Sequence, residues 1–238
     1  MLKLCESIRE LDFLPADPFC AKIEGYAVTY GTDYDFAKFY HQESDAALSW
    51  IDGNVTLWCS KNADMSEIRG FLDFIGYSSV QSTEEVILSL FGEVSDSSYI
   101  VKYISGAVCK PENYSDSCDL KLIYSLLTDS GFELGRYDAF VTDVCSRINS
   151  GTASFGCIAE NNCPVACAFR LFENEKAVLL GAVATAESHR GKGLASSLVP
   201  YMAGKTKPAF LFCRNDSLRF FYENCGFSAV GRWAVKNK

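Results

Sequence analysis

The stretch from residue 183 to 199, VATAESHRGKGLASSLV, constrains this chain more than any other. An apolar run over 177–186 reads as a strand. It gives way to Arg190-Gly191-Lys192-Gly193-Leu194-Ala195, and helical spacing of apolar residues resumes over 194–202. A strand that turns straight into a helix leaves the helix's first N–H groups without acceptors, and the helix dipole adds partial positive charge there. Gly191 and Gly193 let the main chain close round an anion with no Cβ in the way, while Arg190 and Lys192 add fixed charge. The expected occupant is a diphosphate. The spacing is neither the GxxxxGK[ST] of a phosphate loop nor the GxGxxG of a dinucleotide fold.

The elements around this turn set the fold class. Residues 119–128 carry Leu120, Ile123, Leu126 and Leu127 at helical spacing, with Gly131 just beyond. Residues 137–149 do the same with Phe140, Val141, Val144 and Ile148, stopped by Gly151. Strand-like runs follow at 154–160, 164–172 and 177–186, joined by a tight turn at Asn161-Asn162 and a second turn at 172–176. After the glycine turn come a helix at 194–202, a strand at 209–213, a helix at 217–224 and a strand at 227–235. This order predicts an α+β fold: one mixed, mostly antiparallel sheet flanked by helices.

The first half is less regular. Residues 26–30, 36–41, 46–51 and 55–59 read as strands, 65–75 as a helix ending at Gly76, and 85–91 as one further element. Residues 57–80 and 211–230 form a weak internal repeat that sets Arg69 against Arg219, Phe71 against Phe221 and Gly76 against Gly226. Residues 105–117 hold Gly, Pro, Asn and Ser without periodicity. They divide the chain into an N-terminal unit, 1–110, and a C-terminal unit, 118–238.

Composition narrows the function. Hydrophobic residues make up 48% of the 238, enough for a packed core, and no run has the length of a membrane span. The opening MLKLCESIRELDF meets charges too early for a signal peptide, so a soluble cytoplasmic protein is expected. The 11 cysteines are scattered without CxxC pairs, and His41 and His189 are the two histidines. No metal site is expected, and the thiols read as small buried hydrophobes. A net charge of −8 speaks against nucleic acid as partner. Residues 1–118 hold 8 basic and 19 acidic side chains, residues 119–238 hold 14 and 11. The second half suits an anionic cofactor, and the first would attract a cationic amine.

Two spaced blocks carry a resemblance to a known family. Arg190, Gly193 and Ala195 match the R-x-x-G-x-A form of the acetyl-CoA signature of the GNAT N-acetyltransferase superfamily. Asn215, Tyr222 and Gly226-Phe227 resemble its N-x6-Y-x3-G-F block, so the resemblance covers roughly residues 119–238. It implies an N-acetyltransferase that moves an acetyl group from acetyl-CoA, without a metal, to a primary amine on a small molecule or a peptide. It also implies that Val183, Ala184 and Thr185 bind pantetheine through the backbone, with Asn215 beside it. Arg190, Gly191, Lys192, Gly193, Leu194 and Ala195 would hold the pyrophosphate. Tyr222 would be the general acid for the departing thiolate, a role suited to a phenol protonated at neutral pH.

The sequence departs from the family in one respect. Some protein-acetylating members carry a Glu five residues before the Asn, where this chain has Phe210. The base is therefore unassigned, with Glu160, Glu187 and His189 as candidates, and Cys213, which ends the strand before Asn215, would lie near the cofactor sulfur or be a buried thiol. Residues 1–118 contain no R-x-x-G-x-G/A, and the repeat sets Leu72 against Tyr222, so the first half reads as a degenerate GNAT-like domain. Tandem members such as mycothiol synthase likewise pair an active C-terminal half with a weaker N-terminal one. The alternative is a CoA-binding regulatory module with little turnover. No motif indicates the acceptor, the acyl length or the oligomeric state.

Overall fold

The computed structural model describes residues 1–106 and 108–238. Ala107, within the predicted boundary stretch, lies outside the described residues. The first half contains β1 (Lys3–Leu4), α1 (Pro18–Tyr30), β2 (Ala37–Gln42), β3 (Ala46–Ile51), β4 (Asn54–Cys59), α2 (Met65–Ile75), β5 (Ser79–Thr83), α3 (Glu84–Phe91) and β6 (Asp96–Tyr103). The second contains β7 (Tyr114–Ser115), α4 (Leu120–Asp129), α5 (Tyr137–Asn149), β8 (Ser154–Glu160), β9 (Cys163–Glu173), β10 (Val178–Thr185), α6 (Leu194–Ala203), β11 (Ala209–Cys213), α7 (Asp216–Asn224) and β12 (Phe227–Asn237). From α4 onward the predicted order is observed element by element, whereas β7 lies in the stretch 105–117, expected to be a boundary without structure.

All the strands join in one sheet, in the order β1-β2-β3-β4-β5-β12-β6-β11-β10-β9-β8-β7. The order is a palindrome. Each half runs antiparallel through four strands and then adds a fifth in parallel, β4 with β5 and β10 with β11. The last strand of each half then crosses over. β12 pairs with β5 and β6 pairs with β11, and the two exchanged strands pair with each other at the centre. The sheet is therefore continuous across the boundary expected at 105–117.

This topology corrects the register of the internal repeat. A parallel strand pair needs a crossover helix. The counterpart of β4–α2–β5 is thus β10–α6–β11, and the counterpart of α3 is α7. Residues 57–80 and 211–230 look alike because both are strand–helix–strand units with similar apolar spacing. The residue at Tyr222's place in the first half is Leu90, not Leu72.

The helices cover both faces. On one, α1 packs Cys20, Ile23 and Ala27 against β2 and β3, and α4 and α5 pack Ile123, Leu127 and Val144 against β8 and β9. On the other, α2 and α3 bury Ile68, Leu72 and Ile87, while α6 and α7 bury Leu198, Val199 and Tyr222. The expected strand at 26–30 is instead the end of α1. Its start is fixed upstream: the Asp17 carboxylate accepts from the N–H groups of Phe19 (2.8 Å) and Cys20 (3.3 Å), and Pro18 opens the first turn. Burial of the α1 face overrides the β-prone local sequence.

The halves also meet through α1 and α5. Tyr30 donates to Asp143, which is paired with Arg147, and Thr29 lies 2.8 Å from the Thr152 hydroxyl. All the cysteines are free thiols, but Cys109, Cys145 and Cys163 are exposed, so the reading of the thiols as buried hydrophobes fails for these three. Cys163 opens β9 beside the Asn161-Asn162 turn, where the chain leaves the core. No described helix is long and apolar enough to cross a membrane.

Candidate active site

The site begins with a defect in β10. Its parallel pairing with β11 lasts from Val178↔Ala209 to Leu180↔Leu211 and then stops. On the other side, the register with β9 slips between Gly181 and Ala184, around Ala182 at φ 47°. A left-handed alanine inside a strand costs on the order of 1 kcal/mol, and such bulges bend the strand that carries them. β10 swings away from β11, which continues to Cys213 along β6. The edge of Val183, Ala184 and Thr185 that faces β11 is left without a ladder partner.

Past β10 a short 3-10 turn, Glu187–His189, leads into Arg190. Gly191 and Gly193 both take φ 76°, and a Cβ on either would meet nothing within 4 Å. Gly193 caps α6 with no side-chain hydrogen bond, so the first-turn N–H groups of Leu194, Ala195 and Ser196 have no acceptor in the helix. They open on the same space as the glycines. Arg190 is braced by its Nε on the carbonyl of Thr185 (3.3 Å). His189 is held through both ring nitrogens, by Glu160 (3.2 Å) and the Ser188 hydroxyl (2.8 Å).

The opposite wall is α7. Its apolar face turns Leu218, Phe221 and Tyr222 toward the turn, enclosing a cleft of about 500 Å³. Tyr222 is 5% exposed, and burial, with Cys213 and Cys225 nearby, pushes its phenol above the ordinary tyrosine range. Its hydroxyl has no hydrogen-bond partner among the described residues. It is a protonated donor held in an apolar wall.

Of the residues singled out by sequence, Val183, Ala184, Thr185, His189, Arg190, Gly191, Gly193, Leu194, Ala195 and Tyr222 line this one cleft. Lys192 and Asn215 do not. Lys192 is exposed, and Asn215 is the N-cap of α7, accepting from the N–H of Leu218 at 2.9 Å. Sequence reading missed Leu218 and Phe221, although Leu218, Phe221 and Tyr222 stand at i, i+3 and i+4, the spacing of one helix face. Among the candidate bases, Glu160 and Glu187 are exposed, and His189 reaches the cleft. Cys213 is buried, with its thiol pushed up by burial and donated to the Tyr99 carbonyl (3.6 Å). Phe210 packs with Phe172, Leu179 and Trp233 in the core. The cleft wall contains no carboxylate.

The first half keeps a matching cleft of about 480 Å³ between the ends of β4 and β5. Val86 and Ser89 of α3 line it where Leu218 and Phe221 of α7 line the other. Its chemistry is reversed. No glycine lies between Cys59 and Met65, and the Asp64 carboxylate accepts from the N–H groups of Ser66 and Glu67, both at 3.1 Å. A fixed negative charge thus occupies the helix end where a phosphate would bind.

Comparison with known proteins bears on this geometry. Residues 152–229 match the family model described as acetyltransferase (GNAT) domain. This chain carries a GNAT domain. The matched span of that domain runs from the start of β8 into β12 and contains the whole cleft. A GNAT-family acetyltransferase from Colwellia psychrerythraea superposes with TM-score 0.57 at 12% identity, covering 100% of both chains. A GCN5-related N-acetyltransferase from Sphaerobacter thermophilus gives TM-score 0.60 at 12% identity, covering 100% of this chain and 95% of that one. A tandem GNAT protein from the clavulanic acid biosynthesis pathway gives 0.58 at 10%, covering 99% and 97%. At such identities the likeness is one of fold, and it extends over both GNAT-like halves. A search of curated proteins finds no match.

Proposed function

We propose that this protein is a cytoplasmic N-acetyltransferase that transfers the acetyl group of acetyl-CoA directly to a primary amine. Residues 118–238 would be the catalytic unit and 1–110 a degenerate GNAT-like unit. One observation carries the reading: the uncapped start of α6, with Gly191 and Gly193, shares a single cleft with the unpartnered hydroxyl of Tyr222. The diphosphate of CoA would accept from the N–H groups of Leu194 and Ala195, with Arg190 and Lys192 adding charge. Pantetheine would pair with the free edge of Val183, Ala184 and Thr185 as an added strand, and Asn215 would lie beside it by way of the helix start that it caps.

The chemistry follows from the wall. A neutral amine attacks the thioester carbonyl, the C–N bond forms and the C–S bond breaks. The thiolate takes the phenolic proton of Tyr222, whose raised pKa keeps that proton in place at neutral pH. With no carboxylate in the wall and both ring nitrogens of His189 already engaged by Ser188 and Glu160, the amine's surplus proton leaves through water. The acidic first half favours a cationic small-molecule acceptor such as a polyamine, an aminosugar or an amino-acid derivative.

The test is calorimetric titration with acetyl-CoA, wild type beside Gly193→Glu, followed by release of CoA thiol with those amines. Wild type should bind and the variant should not. Tyr222→Phe should lower turnover about 100-fold while leaving acetyl-CoA affinity within roughly threefold. A wild type that fails to bind millimolar acetyl-CoA removes the cofactor assignment and every role built on it. The lack of a carboxylate base favours a second reading, a CoA-binding regulatory module. Tight binding without turnover, indifferent to Tyr222→Phe, would support that reading instead.

A further inference from the structure

We propose that Tyr99, on the last strand of the first half, is a positioning residue for Tyr222, and that the first half serves the reaction by holding the catalytic helix. The inference rests on the acyl-transfer reading above. Its starting point is how little apolar surface anchors α7. The helix has nine residues, and Tyr222 is its one buried side chain, with Phe221 half-buried beside it. A helix with so small an apolar anchor depends on polar contacts for its exact tilt and depth.

Those contacts converge on Tyr99. Strand β6 lies against β11 on the side away from the cleft, with Tyr99 opposite Cys213. The Tyr99 hydroxyl donates to Asp216, the first residue of α7, at 3.0 Å. Arg219 stands over the Tyr99 ring, 5.0 Å from its centre, and bonds Asp216 at 3.2 Å and Glu223 at 2.8 Å. Glu223 is the neighbour of Tyr222. Arg232 of β12 stands over the same ring at 5.1 Å, fixed by Glu84 at 2.9 Å and by Ser97 at 2.8 Å. Two guanidinium groups can share one ring because each is neutralised by carboxylates. The Tyr99 ring thus connects the start, middle and last turn of α7 to α3 and β6 of the other half.

The acid must reach the sulfur of the leaving group, and small misplacement of a catalytic group is costly in rate. No described contact joins Tyr99 to the α6 turn, so donor binding should be insensitive to it. The experiment uses the full chain, with Tyr99→Leu and Tyr99→Phe made in the wild type and in Tyr222→Phe. Turnover is read by CoA release with the best amine, and donor affinity by calorimetry. In the wild type, Tyr99→Leu should lower kcat roughly tenfold and Tyr99→Phe two- to threefold, with acetyl-CoA affinity within about twofold. In Tyr222→Phe, both should change kcat by less than about twofold, because the group they position is gone. Equal losses in the two backgrounds, or wild-type kcat in Tyr99→Leu, would overturn the inference. If Tyr99→Leu fails to fold, Tyr99→Phe and Asp216→Asn carry the same comparison. A wild type that binds no acetyl-CoA fails earlier, at the donor reading, and takes this inference with it.

Discussion

Gly226 is the residue whose identity the backbone dictates most firmly. It sits at φ 91° between α7 and β12, and its carbonyl accepts from the N–H groups of Ile104 (2.9 Å) and Ser105 (3.3 Å). A Cβ there would run into the carbonyl of Ser105, which is main chain and has no rotamer to escape into. In the sequence this glycine was legible only as part of a family block. The physical reason is that β6 approaches from the other half. Gly226→Ala should therefore lower unfolding free energy by about 2 kcal/mol or more, read from the denaturant midpoint. Gly70 is the control. It is exposed in the middle of α2, and a Cβ there meets nothing within 4 Å. Gly70→Ala should raise stability by roughly 0.5–1 kcal/mol. Loss of stability in both variants would mean that helix propensity does not govern α2.

Elements with strong local signals were legible, and those defined by their partners were not. The limits of α5, β8, β11, β3 and α2 coincide with the sequence reading, because each has a clear period and a stop such as Gly76 or Gly151. β5 (SVQST) and β6 (DSSYIVKY) lacked such signals, since exchange between halves places them beside strands remote in the chain. The cleft of the second half was readable through its glycines, whereas the bulge that opens it turns on Ala182, a residue that signals nothing in sequence. The cap of α2 was also missed, and it explains why the first half has no phosphate cradle. Asp64→Ala removes the acceptor for two N–H groups and should cost about 1 kcal/mol in a thermal or denaturant melt. It should leave acetyl-CoA binding at the second half unchanged. A new second equivalent of bound acetyl-CoA would mean that Asp64 alone bars that cleft.

The exchange of β6 and β12 should make the two halves one folding unit, although the sequence suggests a boundary between them. β6 has both of its neighbours, β11 and β12, in the other half, and β12 separates β6 from β5. Val101 on β6 is buried against side chains of the second half, Ala234 on β12 against those of the first, and Ile100 and Trp233 share one cluster drawn from both. Cutting the chain within 111–117 would leave each half with an unpaired sheet edge and an uncovered apolar face, the combination that aggregates. Residues 1–110 and 118–238 made separately should lack cooperative melts and dispersed amide resonances. Mixed in equal amounts during refolding, they should recover one cooperative transition, because the buried strand pairs re-form between chains as they do within one. Separate production of 118–238 is the decisive arm. If that piece alone melted cooperatively and bound acetyl-CoA as tightly as the full chain, β11 would not need β6 beside it. The first half would then be an appendage rather than the support of α7.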